Sequence, residues 1–201
     1  MNIVSNVSVP VALRLRMLAA YAVAVASGDM EHGRSLERKF NEIFRANNNL
    51  IASICLSFAS TREEFEDLRQ DSLLNIWNGI DSFRGDSNAS TWVYRVVLNT
   101  CVSYKRRWNV DKRDARACME FYRDLFCESS PEERERYELM YRLISALPPM
   151  DKSILLMWLD DKRYEEIAEV VGLSRDAVAS RLKRAKDRLA AMASSLSHEG
   201  L

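Results

Sequence analysis

Glycine and proline are scarce, six and four among 201 residues, and with no period-two alternation of useful length the chain lacks what a strand-rich fold requires. Helices are favoured. Two histidines and four cysteines without a C-x-x-C pair exclude a zinc site of ordinary spacing and a disulfide framework. Cys55, Cys101, Cys118 and Cys127 read as the reduced thiols of a cytoplasmic protein, the first two as core residues on apolar helical faces. No net charge is present either: 29 Lys plus Arg balance 29 Asp plus Glu, so overall charge points to no nucleic acid or membrane. A long apolar run is also missing. Residues 9–26 come nearest, but Arg14 and Arg16 interrupt them, leaving a weak imitation of a signal peptide and nothing able to span. No internal repeat, phosphate-cradling glycine loop, dinucleotide fingerprint or His, Cys and carboxylate cluster is found. No catalytic residue, metal, cofactor or small-molecule substrate is therefore expected, and the chain reads as a non-enzyme.

What is there is segregated charge. Residues 63–71 carry Glu63, Glu64, Glu66, Asp67 and Asp71 against Arg69, whereas residues 95–116 carry seven cations against Asp111 and Asp114. Distinct surfaces for distinct partners follow. From Tyr164 to Arg184 the sequence YEEIAEVVGLSRDAVASRLKR reads as a helix-turn-helix. Ala168 permits close approach, Gly172 tolerates positive φ, Val178 faces inward and Ser174 caps the second helix. That helix bears Arg175, Arg181, Lys183, Arg184, Lys186 and Arg188 against Asp176 and Asp187, suiting it to DNA phosphates.

Helical periodicity organises the remainder. Phe40, Ile43, Phe44, Leu50, Ile51, Ile54 and Phe58 form one stripe from Leu36 onward. Thr61 and Glu64 have capping-box spacing ahead of a helix that buries Phe65, Leu68, Leu73, Ile76 and Trp77. The turn-forming run DSFRGDSN, residues 81–88, precedes a helix started by Ser90 or Thr91. The run ESSPEERER, residues 128–136, reads as linker, with helix resuming near Tyr137. The expectation is an all-α protein of two small helical domains joined by a charged linker, the C-terminal one a helix-turn-helix. Its divisions are an N-terminal extension over 1–34, a helical domain over 35–108, a linker over 109–136, a second domain over 137–195 and a tail over 196–201.

Residues 65–107 sharpen this picture. Asp67, Leu68, Gln70 and Asp71 lead an aliphatic run ending at Trp77; DSFRGDS follows at 81–87 and TWVYRVVLN at 91–99. These blocks resemble the extracytoplasmic-function (ECF) group of bacterial sigma factors, and Leu147 to Leu189 looks like that family's second DNA-binding domain. The resemblance implies a transcription initiation factor that binds core RNA polymerase, recognises −10 and −35 promoter elements and stabilises melted DNA. Core contact, on the beta-prime clamp and the beta subunit, falls to Asp67, Leu68, Gln70, Asp71 and Asn75. The −10 contacts fall to Phe83, Arg84, Asp86, Ser87, Asn88, Arg95, Asn99, Lys105 and Arg106, and the −35 contacts to Arg175, Ser180, Arg181, Lys183 and Arg184. An anti-sigma partner is also implied.

Each assignment has a plainer counterpart in the residues. Phe83 can stack on an extruded base or anchor the turn, and Lys105, Arg106 and Arg107 can hold phosphate or cap a helix C-terminus. Arg175, Arg181, Lys183 and Arg184 can read base edges or phosphates. Two departures stand out: Ala89 and Ser90 replace an aromatic that many relatives carry, and Ala179 replaces a cation. The alternative to a sigma factor is a stand-alone helix-turn-helix transcription regulator.

Overall fold

In a computed structural model, residues 30–83, 88–108 and 130–199 are described, and every regular element among them is helical. The first cluster comprises α1 (Met30–Phe58), α2 (Arg62–Gly79), a 3-10 turn (Ile80–Ser82) and α3 (Ala89–Trp108). The second comprises α4 (Pro131–Ser145), α5 (Pro149–Leu159), α6 (Tyr164–Val171) and α7 (Arg175–Glu199).

Local chemistry sets the helix ends. Thr61 Oγ1 accepts from Glu64 N–H at 3.2 Å, while the Glu64 carboxylate accepts from Ser60 N–H at 2.6 Å, so two otherwise orphan donors are satisfied. At α3 the cap is Asn88, whose Oδ1 accepts from Ser90 N–H at 3.1 Å; the helix thus opens at Ala89, ahead of the expected Ser90 or Thr91. Gly172 ends α6 at φ 70°, where glycine alone avoids a Cβ penalty. Ser174 Oγ accepts from Ala177 N–H at 3.2 Å to start α7, as expected. One departure from the sequence reading is α4, which begins at Pro131 within the run taken for linker. Ser130 and Glu133 close a reciprocal capping box there, and proline at the first helical position lacks only an N–H that would be orphaned anyway.

Three helices of the first cluster meet on Phe40, Ile51, Ile54, Leu68, Leu73, Ile76, Val93 and Val97, all at most 1% exposed. Cys55 and Cys101 join this core, and burial raises the Cys101 thiol well above its usual range. The second core is smaller, with Ile154, Met157, Ile167, Val178, Leu182 and Ala185 buried between α5, α6 and α7. Trp77 meets Phe40 edge to face at 5.5 Å.

The clusters also touch each other. Lys152 of α5 is 1% exposed. Its ammonium donates to the carbonyls of Ser57 at 2.9 Å and Ser145 at 3.1 Å, in the last turns of α1 and α4, and lies 4.8 Å from the Phe58 ring centroid. Burial and Asp160 push the Tyr94 hydroxyl above its usual range, and Lys162 donates to Ser90 Oγ at 3.1 Å.

Candidate functional site

Three groups of expected residues can be followed from helix to surface. On α2, Asp67, Asp71 and Asn75 are exposed and Gln70 is half-buried. The Asp67 and Asp71 carboxylates are held by no hydrogen bond or ion pair to a described residue. Asn75 donates its amide to Thr100 Oγ1 at 2.9 Å, tying α2 to α3. Leu68 differs from its companions: it is fully buried, so it fixes the helix from behind and does not line the face. Its place in the apolar stripe overrides its place in the motif.

The second group centres on α3. Phe83 is half-buried, its ring 5.0 Å from that of Trp92 and 5.3 Å from the Lys39 ammonium, which also donates to the Phe83 carbonyl at 2.6 Å. The plainer reading of Phe83, a turn anchor, thus has a direct physical basis. Gly79 belongs to the same packing, since a Cβ there would lie 3.2 Å from the Trp92 ring. Asn88, Asn99 and Arg106 are exposed. Arg95 Nη2 donates to the Glu169 carbonyl at 3.1 Å and carboxylate at 3.0 Å, across the two clusters. Lys105 meets Glu64 at 2.8 Å with side-chain exposures of 8% and 15%, a strut between α2 and α3 that commits its ammonium within the fold. Arg84, Asp86 and Ser87 lie outside the described residues. A groove of about 390 Å³ between α2 and α3 brings Asp71 and Asn75 of the first group beside Asn99 of the second. Tyr104 also lines it, its hydroxyl pushed above its usual range first by burial and then by the charges of Glu64, Asp67 and Asp71.

The third group lies on α7. Arg175, Ser180, Lys183 and Arg184 are exposed, whereas the buried Val178, Leu182 and Ala185 face the core. Arg175 bonds Glu165 of α6 at 2.8 Å and lies over the Tyr164 ring at 5.8 Å. Arg181 bonds Asp151 Oδ1 at 2.8 Å. Ala179 is half-buried and offers no charge.

Some residues that organise these surfaces escaped the sequence reading. Asp151, Glu169 and Lys162 act across long sequence separations that leave no local spacing. Lys152 did carry a signal, a cation heading the apolar run SILLMW. Among the described residues no group of three or more His, Cys, Asp or Glu could hold a metal, and no helix is long and apolar enough to cross a membrane.

An all-helical chain in two clusters, with an acidic face exposed on α2 and a basic one on α7, has its counterparts among transcription factors. The family model for sigma-70 region 2 matches residues 43–109, and that for sigma-70 region 4 matches residues 137–189. The ECF RNA polymerase sigma-E factor of Escherichia coli (strain K12) is 29% identical over 164 residues, covering 76% of this chain and 85% of that protein. Its namesake in Haemophilus influenzae is 28% identical over 165 residues, covering 76% and 86%. The fold resembles the sigma factor RpoE crystallised with the anti-sigma factor NepR from Bartonella quintana, with a TM-score of 0.58, 20% identity and coverage of 75% and 93%. It also resembles CnrH in complex with the cytosolic domain of CnrY, with a TM-score of 0.58, 22% identity and coverage of 79% and 90%. The chain belongs to the ECF group of the sigma-70 family. As a sigma factor it directs RNA polymerase in promoter recognition.

Proposed function

We propose that the exposed face of α2, with Asp67, Gln70, Asp71 and Asn75, docks on the beta-prime clamp of core polymerase, and that further contacts reach the beta subunit. Leu68 anchors that face from within. The −10 element is read by the segment from Phe83 to Asn88 together with Arg95, Asn99 and Arg106, and a non-template base is trapped as the strands separate. Arg95 exchanges Glu169 for nucleic acid when it does so. Arg175, Ser180, Arg181, Lys183 and Arg184 on α7 meet the −35 element. In this reading the functional divisions are 35–108 and 137–195, the protein works in the cytoplasm, and an anti-sigma factor binds it, as NepR binds the sigma factor RpoE in the Bartonella quintana complex.

The observation that carries the proposal is the separation of two exposed faces, acidic on α2 and basic on α7, in the chain order of the matched regions 2 and 4. Run-off transcription with purified core polymerase on a randomised promoter library tests it. Recovered templates should share two conserved elements at fixed spacing. A chain that binds duplex DNA but neither binds core nor supports initiation would instead be a stand-alone regulator.

A further inference from the structure

A carboxylate beside a helix that approaches DNA works against phosphate binding, yet Asp151 sits against α7 with its side chain only 8% exposed. Its two oxygens are divided between two arginines. Oδ1 accepts from Arg181 Nη1 at 2.8 Å and Oδ2 from Arg188 Nη1 at 3.1 Å. The arginines are seven residues apart, two helical turns on one side of α7. Ala185 lies between them, fully buried and small enough to let the start of α5 come close. Asp151 is itself immobilised in the first turn of α5, where the helix dipole favours a negative charge. The arrangement leaves one net positive charge on the three side chains. Each guanidinium uses one of its five N–H donors on Asp151 and retains the others. Side-chain exposures of 38% for Arg181 and 55% for Arg188 keep both near solvent.

We infer that Asp151 is a positioning residue for −35 recognition: it clamps Arg181 and Arg188 from beneath, so that the Arg181 guanidinium meets DNA already oriented. This rests on the proposed −35 role of α7. An arginine ordered before binding loses less side-chain freedom on contact, and that difference appears as affinity. The negative charge of Asp151 by itself weakens DNA binding, so positioning and bare charge predict opposite signs for its removal.

The test uses holoenzyme assembled from core polymerase and the full chain. Binding is measured on a promoter selected with the wild-type protein and on the same promoter with its −35 element scrambled. Asp151→Asn should weaken binding about tenfold on the intact promoter, leave binding to the scrambled promoter no weaker than wild type and preserve the circular dichroism spectrum. Arg188→Ala, which removes the clamp's outer partner together with one cation, should weaken binding to the intact promoter about threefold more than binding to the scrambled one. Equal or tighter binding by Asp151→Asn, or equal weakening on both promoters, overturns the inference. Should that variant fail to fold, Arg188→Ala decides: no loss, or the same loss on both templates, overturns it. A wild-type holoenzyme indifferent to scrambling would remove the −35 reading itself, an outcome distinct from a discriminating wild type with an unaffected variant.

Discussion

The acidic face of α2 and the basic face of α7 treat their charges differently. Asp67 and Asp71 project without a described partner, while Arg175 is held by Glu165 and Arg181 by Asp151. Arg175 and Arg181 are oriented before a ligand arrives; Asp67 and Asp71 are left to their hydration. The contrast suits the partners. A protein surface can meet loosely held carboxylates and set their geometry as it binds, whereas grooves and phosphates at fixed spacing favour side chains already aimed.

The widest separation of the two roles should come from within α2 itself. Leu68→Ala should cost about 2–5 kcal/mol of stability in denaturant unfolding, because it opens a cavity under the acidic face. On α7, Arg184→Ala should cost roughly 1–3 kcal/mol in promoter binding with relaxed preference at one −35 position. A uniform loss with a shallower salt dependence would mark a phosphate contact instead. Asp71→Ala should weaken core-polymerase binding by roughly 1 kcal/mol and leave the melting curve unchanged; unchanged affinity would take that residue out of the interface.

The smallest effect is in acid. Glu166 is held below the ordinary 4.5 first by the Arg163 backbone N–H and then by its guanidinium, and Glu165 is lowered by its own N–H and by Arg175. Both carboxyls have depressed folded values, so their stabilisation is complete above the unfolded value and fades as pH falls through the folded one. Glu166→Gln should therefore flatten the decline of melting temperature below about pH 4.5.

Local chemistry made much of this legible in advance. The Thr61 and Ser174 caps and the positive φ of Gly172 could be read because each depends on residues within a turn or two. The start of α4 was equally local but hidden: a proline in a charged run suggested linker, although Ser130 and Glu133 have capping-box spacing. Leu68 appeared in both a buried stripe and a polymerase-binding motif, and its burial separates support from contact. Asp151 could not be foreseen, because its partners lie 30 and 37 positions away and only folding brings them together. The same holds for Arg95 and Glu169, 74 positions apart.

Lys152 gives the joint between the clusters an unusual thermodynamic character. Its ammonium has given up water for two helix-terminal carbonyls and an aromatic face, one carbonyl from each cluster. Parting the clusters would break the bond to Ser57 and readmit water to the cation, and that gain in hydration would offset part of the lost contact. The joint is therefore cohesive without being adhesive: it holds a definite geometry while the cost of release stays below that of an all-hydrocarbon seam.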